Sequence, residues 1–65
     1  MNDSVKELIK SIYECQKKII ITRRLIRDME ADGMDTKKQR DEILELEKEI
    51  GKFQRVLRKK YLFDY

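Results

Sequence analysis

The chain has 65 residues, of which 45% are charged, and it contains no histidine, no proline and a single cysteine. This composition excludes an internal disulfide and argues against a structural zinc site. The formal net charge of +3 permits contact with nucleic acid without requiring it. A chain this short rarely gains more than about 3–5 kcal/mol from its own core, so we expect self-association.

The first half of the chain carries an unbroken heptad pattern. With Val5 at position a, every a residue is β-branched. The run Ile19–Thr22 alone would favour a strand, but a period sustained over eight positions outweighs that propensity and predicts a helix over 5–31. The Ser4–Glu7 segment ahead of it has capping-box spacing. The a and d positions are Val5, Leu8, Ile12, Cys15, Ile19, Thr22, Ile26 and Met29.

The second half of the chain repeats the pattern after a short break. Gly33 can adopt the positive φ that ends a first helix, and either Asp35 or Thr36 can cap a second. The sequence therefore predicts a turn over 32–35 and a helix over 36–62. The a and d positions of this helix are Thr36, Gln39, Ile43, Leu46, Ile50, Phe53 and Leu57.

A connection this short makes neighbouring helices antiparallel. The basic residues of segment 17–27 then face the acidic residues of segment 41–49, and Arg23 lies near Glu47. This pairing explains the basic segment without a nucleic-acid surface. The predicted fold is all-α: a two-helix antiparallel coiled-coil hairpin that forms a single domain over 1–65 and is expected to dimerise into a four-helix bundle.

Heptad positions e and b of both helices should form one side of the hairpin, here called the e/b face. A mid-helix glycine such as Gly51 costs up to about 1 kcal/mol relative to alanine, and close approach of another backbone is one reason to keep it. The face is therefore predicted to bind a second copy or a different protein, unless Ile9 and Ile20 only widen the core. On the opposite flank, Ile21 and Leu25 form a smaller patch with the same two explanations. The predicted interface residues are Ile9, Tyr13, Gln16, Ile20, Leu44, Gly51, Gln54 and Tyr61.

Segment 52–60 contains five basic residues and no acid. Such a segment can contact the phosphates of RNA or DNA, or it can form a solvated surface that is favourably placed at the C-terminal end of a helix dipole. The candidate nucleic-acid contacts are Lys10, Lys52, Arg55, Arg58 and Lys59.

No residue pattern indicates catalysis, so the sequence predicts no enzyme activity, no cofactor and no metal site. Cys15 occupies a core position without an imidazole to activate it, which predicts an inert thiol. The longest apolar run, Ile19–Ile21, is too short to span a membrane, and no signal-peptide pattern is present, so we expect a cytoplasmic protein without a membrane partner. The favoured function is that of a small protein–protein interaction module or regulator, and the alternative is a nucleic-acid-binding hairpin.

Overall fold

The computed structural model describes the backbone of residues 3–61 and the side chains of residues 4–60. This part of the chain contains two α-helices, α1 (Asp3–Ala31) and α2 (Lys37–Tyr61), and no strand. The helices pack against each other as a hairpin that measures 50 × 17 × 15 Å. The predicted all-α helical hairpin is therefore confirmed.

The helix boundaries lie within two residues of the predicted ones. α1 begins at Asp3 and includes Ser4 in its first turn, whereas the sequence placed Ser4 at the N-cap. Capping-box spacing alone does not separate these two registers, because serine is also tolerated in a first helical turn. α1 ends at Ala31 as predicted, and α2 begins at Lys37. Leu62, the last residue of the predicted second helix, lies outside the described residues.

α1 ends in a Schellman motif at Gly33. The amide of Gly33 donates a hydrogen bond to the carbonyl of Glu30 at 3.0 Å, and the amide of Met34 donates one to the carbonyl of Met29 at 2.9 Å. These bonds satisfy carbonyl groups that have no partner within the helix. Gly33 has a φ of +76°, a conformation that glycine adopts without the steric cost of a Cβ atom. The predicted role of Gly33 as the helix C′ residue is confirmed.

α2 begins at a cap formed by Asp35 and Thr36 together. The carbonyl of Thr36 accepts the first hydrogen bond of the helix, from the amide of Arg40 at 3.0 Å. Oδ1 of Asp35 accepts a hydrogen bond from the amide of Lys37 at 3.1 Å. Thr36 is buried, and its hydroxyl accepts a hydrogen bond from Nε of Arg40 at 3.0 Å. The two candidate caps are therefore both used, on different partners.

The predicted heptad seam forms the interior of the hairpin. Cys15, Ile19, Thr22 and Thr36 are buried, and the other predicted a and d residues from Val5 to Leu57 are all half-buried. Among the described residues, no side chain is fully enclosed. Two helices contact along a single strip, so each seam residue keeps one side open to solvent. The hairpin alone thus leaves much of its apolar surface uncovered.

Candidate interaction surface

The e/b face is exposed along both helices. In α1, the exposed fractions of Ile9, Tyr13 and Ile20 are 49%, 60% and 52%, and in α2 that of Leu44 is 56%. The remaining described members of the predicted interface, Gln16, Gly51 and Gln54, are also exposed. The side chain of Tyr61 lies outside the described side chains. The hairpin therefore does not bury these apolar residues in its own core.

Two ion pairs connect the helices on the half of the e/b face nearest the turn. Nη2 of Arg23 lies 3.8 Å from Oε2 of Glu47, which confirms the predicted pairing. Arg40 pairs with Glu30 across the turn. Exposed pairs of this kind stabilise a fold by only about 0.2–1 kcal/mol. Their value here is geometric, because they establish which residues of α1 and α2 lie at the same level along the hairpin.

The Arg23–Glu47 pair divides the e/b face into two parts. On the side away from the turn, the face presents only uncharged residues for about three helical turns, and we call this the uncharged section. Leu44 lies on the other side of the pair, one turn from Glu47, with Arg27 at its level. The predicted interface is thus not one continuous apolar stripe. The uncharged section consists of Ile9, Tyr13, Gln16, Ile20, Gly51 and Gln54.

Gly51 has no structural function within the hairpin. It lies inside α2 with no positive φ, and a Cβ atom added to it would meet nothing within 4 Å. The hairpin therefore accepts alanine here, which would favour the helix by up to about 1 kcal/mol. The glycine leaves a hollow on the e/b face beside Ile20, which is on the same level of α1.

Tyr13 has a charged neighbour at the edge of the uncharged section. Nζ of Lys17 lies 5.7 Å from the centre of the Tyr13 ring, one turn further along α1. This cation–π contact leaves the ring 60% exposed. A lysine stem beside an aromatic ring is a common border between an apolar contact surface and solvent.

The opposite flank of the hairpin is less uniform. Ile21 and Leu25 are exposed, but charged residues surround Ile21, since Glu14, Lys17 and Lys18 share its shallow depression. Charged neighbours of this kind must lose water when a partner binds, which opposes association. The e/b face is therefore the better docking surface of the two.

Cys15 is buried on the seam and is not set up for nucleophilic chemistry. Its thiol lies 3.8 Å from Oε2 of Glu49 and donates a hydrogen bond to that carboxylate. Burial raises the pKa of the thiol above its usual value, and the negative charge of Glu49 raises it further. The neutral thiol, which is a poor nucleophile, is the form that the fold favours.

The candidate nucleic-acid contacts are exposed but do not share one surface. Lys52, Arg55 and Lys59 project from the outer side of α2, whereas Arg58 is a b residue of the e/b face and Lys10 lies on the outer side of α1. None of the five forms an ion pair within the part of the chain that the structure describes. Three of them can therefore contact one phosphate backbone together.

Comparisons with known proteins give no relationship: no protein-family model matches the chain, and neither curated proteins nor solved structures match it. In residues 3–61, no group of three or more cysteine or acidic side chains is arranged to hold a metal ion. Neither α1 nor α2 combines the length and the apolarity required to cross a bilayer.

Proposed function

We propose that the chain is a non-enzymatic protein–protein interaction module that docks through its e/b face. The observation that carries this proposal is the uncharged section. It exposes Ile9, Tyr13 and Ile20 side by side with two glutamines and a glycine, in a chain in which 45% of residues are charged. Exposed apolar surface of this kind, bordered by charged residues, is characteristic of docking sites.

The total accessible surface supports the same proposal. It amounts to 5722 Å² for a chain of 8.0 kDa, whereas a compact monomer of that mass exposes roughly 4,450 Å². The excess of about 1,300 Å² is larger than the ~800 Å² that each partner contributes to a typical stable interface. The hairpin has enough uncovered surface for a specific partner.

The chemistry of the chain supports binding without catalysis. Cys15 is held as a neutral thiol by burial and by Glu49, and it is unpaired. An unpaired thiol is typical of proteins in a reducing compartment, so we place the module in the cytoplasm.

Site-specific photo-crosslinking in cells that express the chain tests the proposal. A photo-reactive amino acid replaces Gln16 in the uncharged section, and the matched control replaces Arg24 on the outer side of α1. We expect a discrete adduct from position 16 after irradiation and little or none from position 24. Adducts of equal yield at both positions, or none at position 16, would contradict docking through this face.

A second candidate function is nucleic-acid binding, which is favoured by the unpaired cations at the end of the hairpin away from the turn. Residues 3–18 and 51–60 carry nine basic and three acidic side chains, whereas residues 19–50 carry seven basic and nine acidic ones. Anionic ligands should therefore approach the end that carries Lys52, Arg55 and Lys59.

Fluorescence anisotropy with a labelled single-stranded RNA and a DNA duplex tests this second function at low and at physiological salt. The double substitution Arg55→Gln with Lys59→Gln should weaken binding about tenfold or more, since each lost phosphate contact releases fewer counterions. The control, Lys37→Gln with Lys38→Gln, removes the same charge at the other end of the hairpin. Equal losses in the two variants, or no binding at low salt, would exclude a specific basic surface.

A further inference from the structure

We propose that the occupant of the e/b face is a second copy of this chain, related by a two-fold axis that runs along the length of the hairpin. The inference rests on the proposed docking function of that face and goes further by naming the partner and its orientation. In this arrangement α1 of one copy packs over α2 of the other, and the four helices form a bundle with antiparallel neighbours.

The dimensions of the face suit a dimer. The hairpin is 50 Å long and 17 Å wide, so its broad side covers about 850 Å², close to the ~800 Å² that each partner buries in a typical stable complex. No side chain in the described residues is fully enclosed within one hairpin. A second hairpin would cover the open side of the seam along its entire length.

The face is complementary to itself in shape. The Arg23–Glu47 contact places Ile20 and Gly51 at the same level, since Ile20 lies three residues from Arg23 and Gly51 lies four from Glu47. A two-fold axis along the hairpin brings each α1 residue opposite the α2 residue that shares its level. The exposed side chain of Ile20 then enters the hollow at Gly51 of the other copy, and the symmetry repeats this contact.

The face is also complementary to itself in charge. Arg23 and Glu30 on α1 lie level with Glu47 and Arg40 on α2, and both pairs are opposite in sign. The same two-fold axis therefore places each basic side chain opposite an acidic one of the second copy. In the uncharged section, Gln16 and Gln54 come opposite each other, and primary amides can both donate and accept hydrogen bonds.

The alternative two-fold axis, perpendicular to the hairpin, fits less well. It would place the uncharged section of one copy against the ion-paired half of the other. Ile9 would then face the Glu30–Arg40 pair, which would lose water without gaining a polar partner. The parallel arrangement of the copies avoids this penalty because apolar residues meet apolar residues.

Analytical ultracentrifugation at micromolar concentration tests the proposal with four chains. We expect a dimer for the wild type, a monomer for Ile20→Lys, and a dimer for the control Ile21→Lys, which changes the neighbouring residue on the opposite flank. Gly51→Ala should weaken the dimer about tenfold or more, because a methyl group fills the hollow that Ile20 occupies. This variant keeps the hairpin intact, since the added Cβ has open space in the single chain. A wild-type monomer, or a dimer that tolerates both Ile20→Lys and Gly51→Ala, would overturn the proposal.

Double electron–electron resonance tests the orientation. Spin labels at Ala31→Cys, in a Cys15→Ser background, report the turn end of each copy. Labels at the same end of the bundle should lie about 30 Å apart or less, because packed helix axes are about 8–10 Å apart. A distance near the 50 Å length of the hairpin would overturn the parallel arrangement.

The photo-crosslinked adduct at position 16 separates this inference from the proposed function. An adduct with twice the mass of the chain supports both. An adduct with a different protein, together with a monomeric wild type, leaves the docking function standing and rejects self-association. No adduct and a monomeric wild type reject both.

Discussion

Cys15 is the seam residue whose chemistry depends most directly on its surroundings. It is buried between the helices, and its thiol donates a hydrogen bond to the Glu49 carboxylate. The sequence places Cys15 in the core from the heptad period alone. The partner was not predictable in the same way, because Glu49 occupies a flanking g position whose long side chain can point toward solvent or toward the seam.

We predict that Cys15 makes the stability of the hairpin fall as the pH rises above the usual pKa of a thiol. Burial and Glu49 raise the pKa of the folded thiol. Below the unfolded pKa both states keep the proton, and the contribution is complete. As the pH rises, the unfolded thiol ionises first, so the free energy of unfolding decreases until the folded thiol ionises too. Urea denaturation from about pH 7 to about pH 10 measures this decrease.

Two variants separate this effect from other titrations in the same range. In Cys15→Ala, which has no thiol, the part of the pH dependence that belongs to Cys15 should disappear. In Glu49→Gln, which removes the negative charge and keeps the shape, the pH dependence should be smaller than in the wild type. Identical pH dependence in the wild type and Cys15→Ala would refute the prediction.

The three consecutive isoleucines of α1 differ only in the direction that the helix gives them. Ile19 is buried on the seam, Ile20 is on the e/b face, and Ile21 is exposed among charged residues. We predict that Ile19→Ala lowers the free energy of unfolding by about 2–5 kcal/mol, since it leaves a cavity in the seam. Ile21→Ala should change it by no more than about 0.5 kcal/mol.

Chemical denaturation at one fixed protein concentration checks both values, because dimerisation would make the midpoint depend on concentration. Similar losses for Ile19→Ala and Ile21→Ala would mean that the helix is rotated relative to the predicted seam. The heptad pattern predicts this order of the isoleucines from the sequence alone, because a helical period leaves one residue in three or four on the inner side.

At the scale of the helix, the turn combines predicted and unpredicted features. The position of Gly33 at the end of α1 was predictable, because glycine adopts a positive φ more readily than any other residue. The linkage through Arg40 was not predicted. Its guanidinium contacts both the Thr36 hydroxyl and the Glu30 carboxylate. Residues 30 and 40 are ten apart, so no pattern within one helix relates them.

We predict that Gly33→Ala destabilises the hairpin by about 1–2 kcal/mol, because the methyl group is unfavourable at a φ of +76°. Nothing lies within 4 Å of the position that a Cβ atom would occupy, so the loss arises from backbone conformation and not from a clash. Thermal unfolding followed by circular dichroism measures the loss. Gly33→Asn is the matched variant and should lose less, since asparagine tolerates this conformation better than alanine does. An equal loss in both would point to another cause.

At the scale of the whole molecule, the sequence predicts the fold more completely than the binding surface. The seam depends on a period repeated over both helices, so one ambiguous residue does not alter it. The e/b face depends on individual side chains. The sequence grouped Leu44 with the other apolar residues, whereas the Arg23–Glu47 pair separates it from them. That separation follows from the register of the two helices, which composition does not contain.

The shape of the assembly in solution gives the last prediction. Two hairpins that overlap along their full length should double the mass while the maximum dimension stays close to the 50 Å of one hairpin. A dimer formed end to end, or through the short uncharged section with the rest of the chain offset, would be much longer. Small-angle X-ray scattering measures mass and maximum dimension on the same sample. Ile20→Lys provides the reference, since its scattering should show half the mass at nearly the same length. A dimer that is clearly longer than this reference would contradict full overlap, because the Ile20 and Gly51 levels of the two copies could not then coincide.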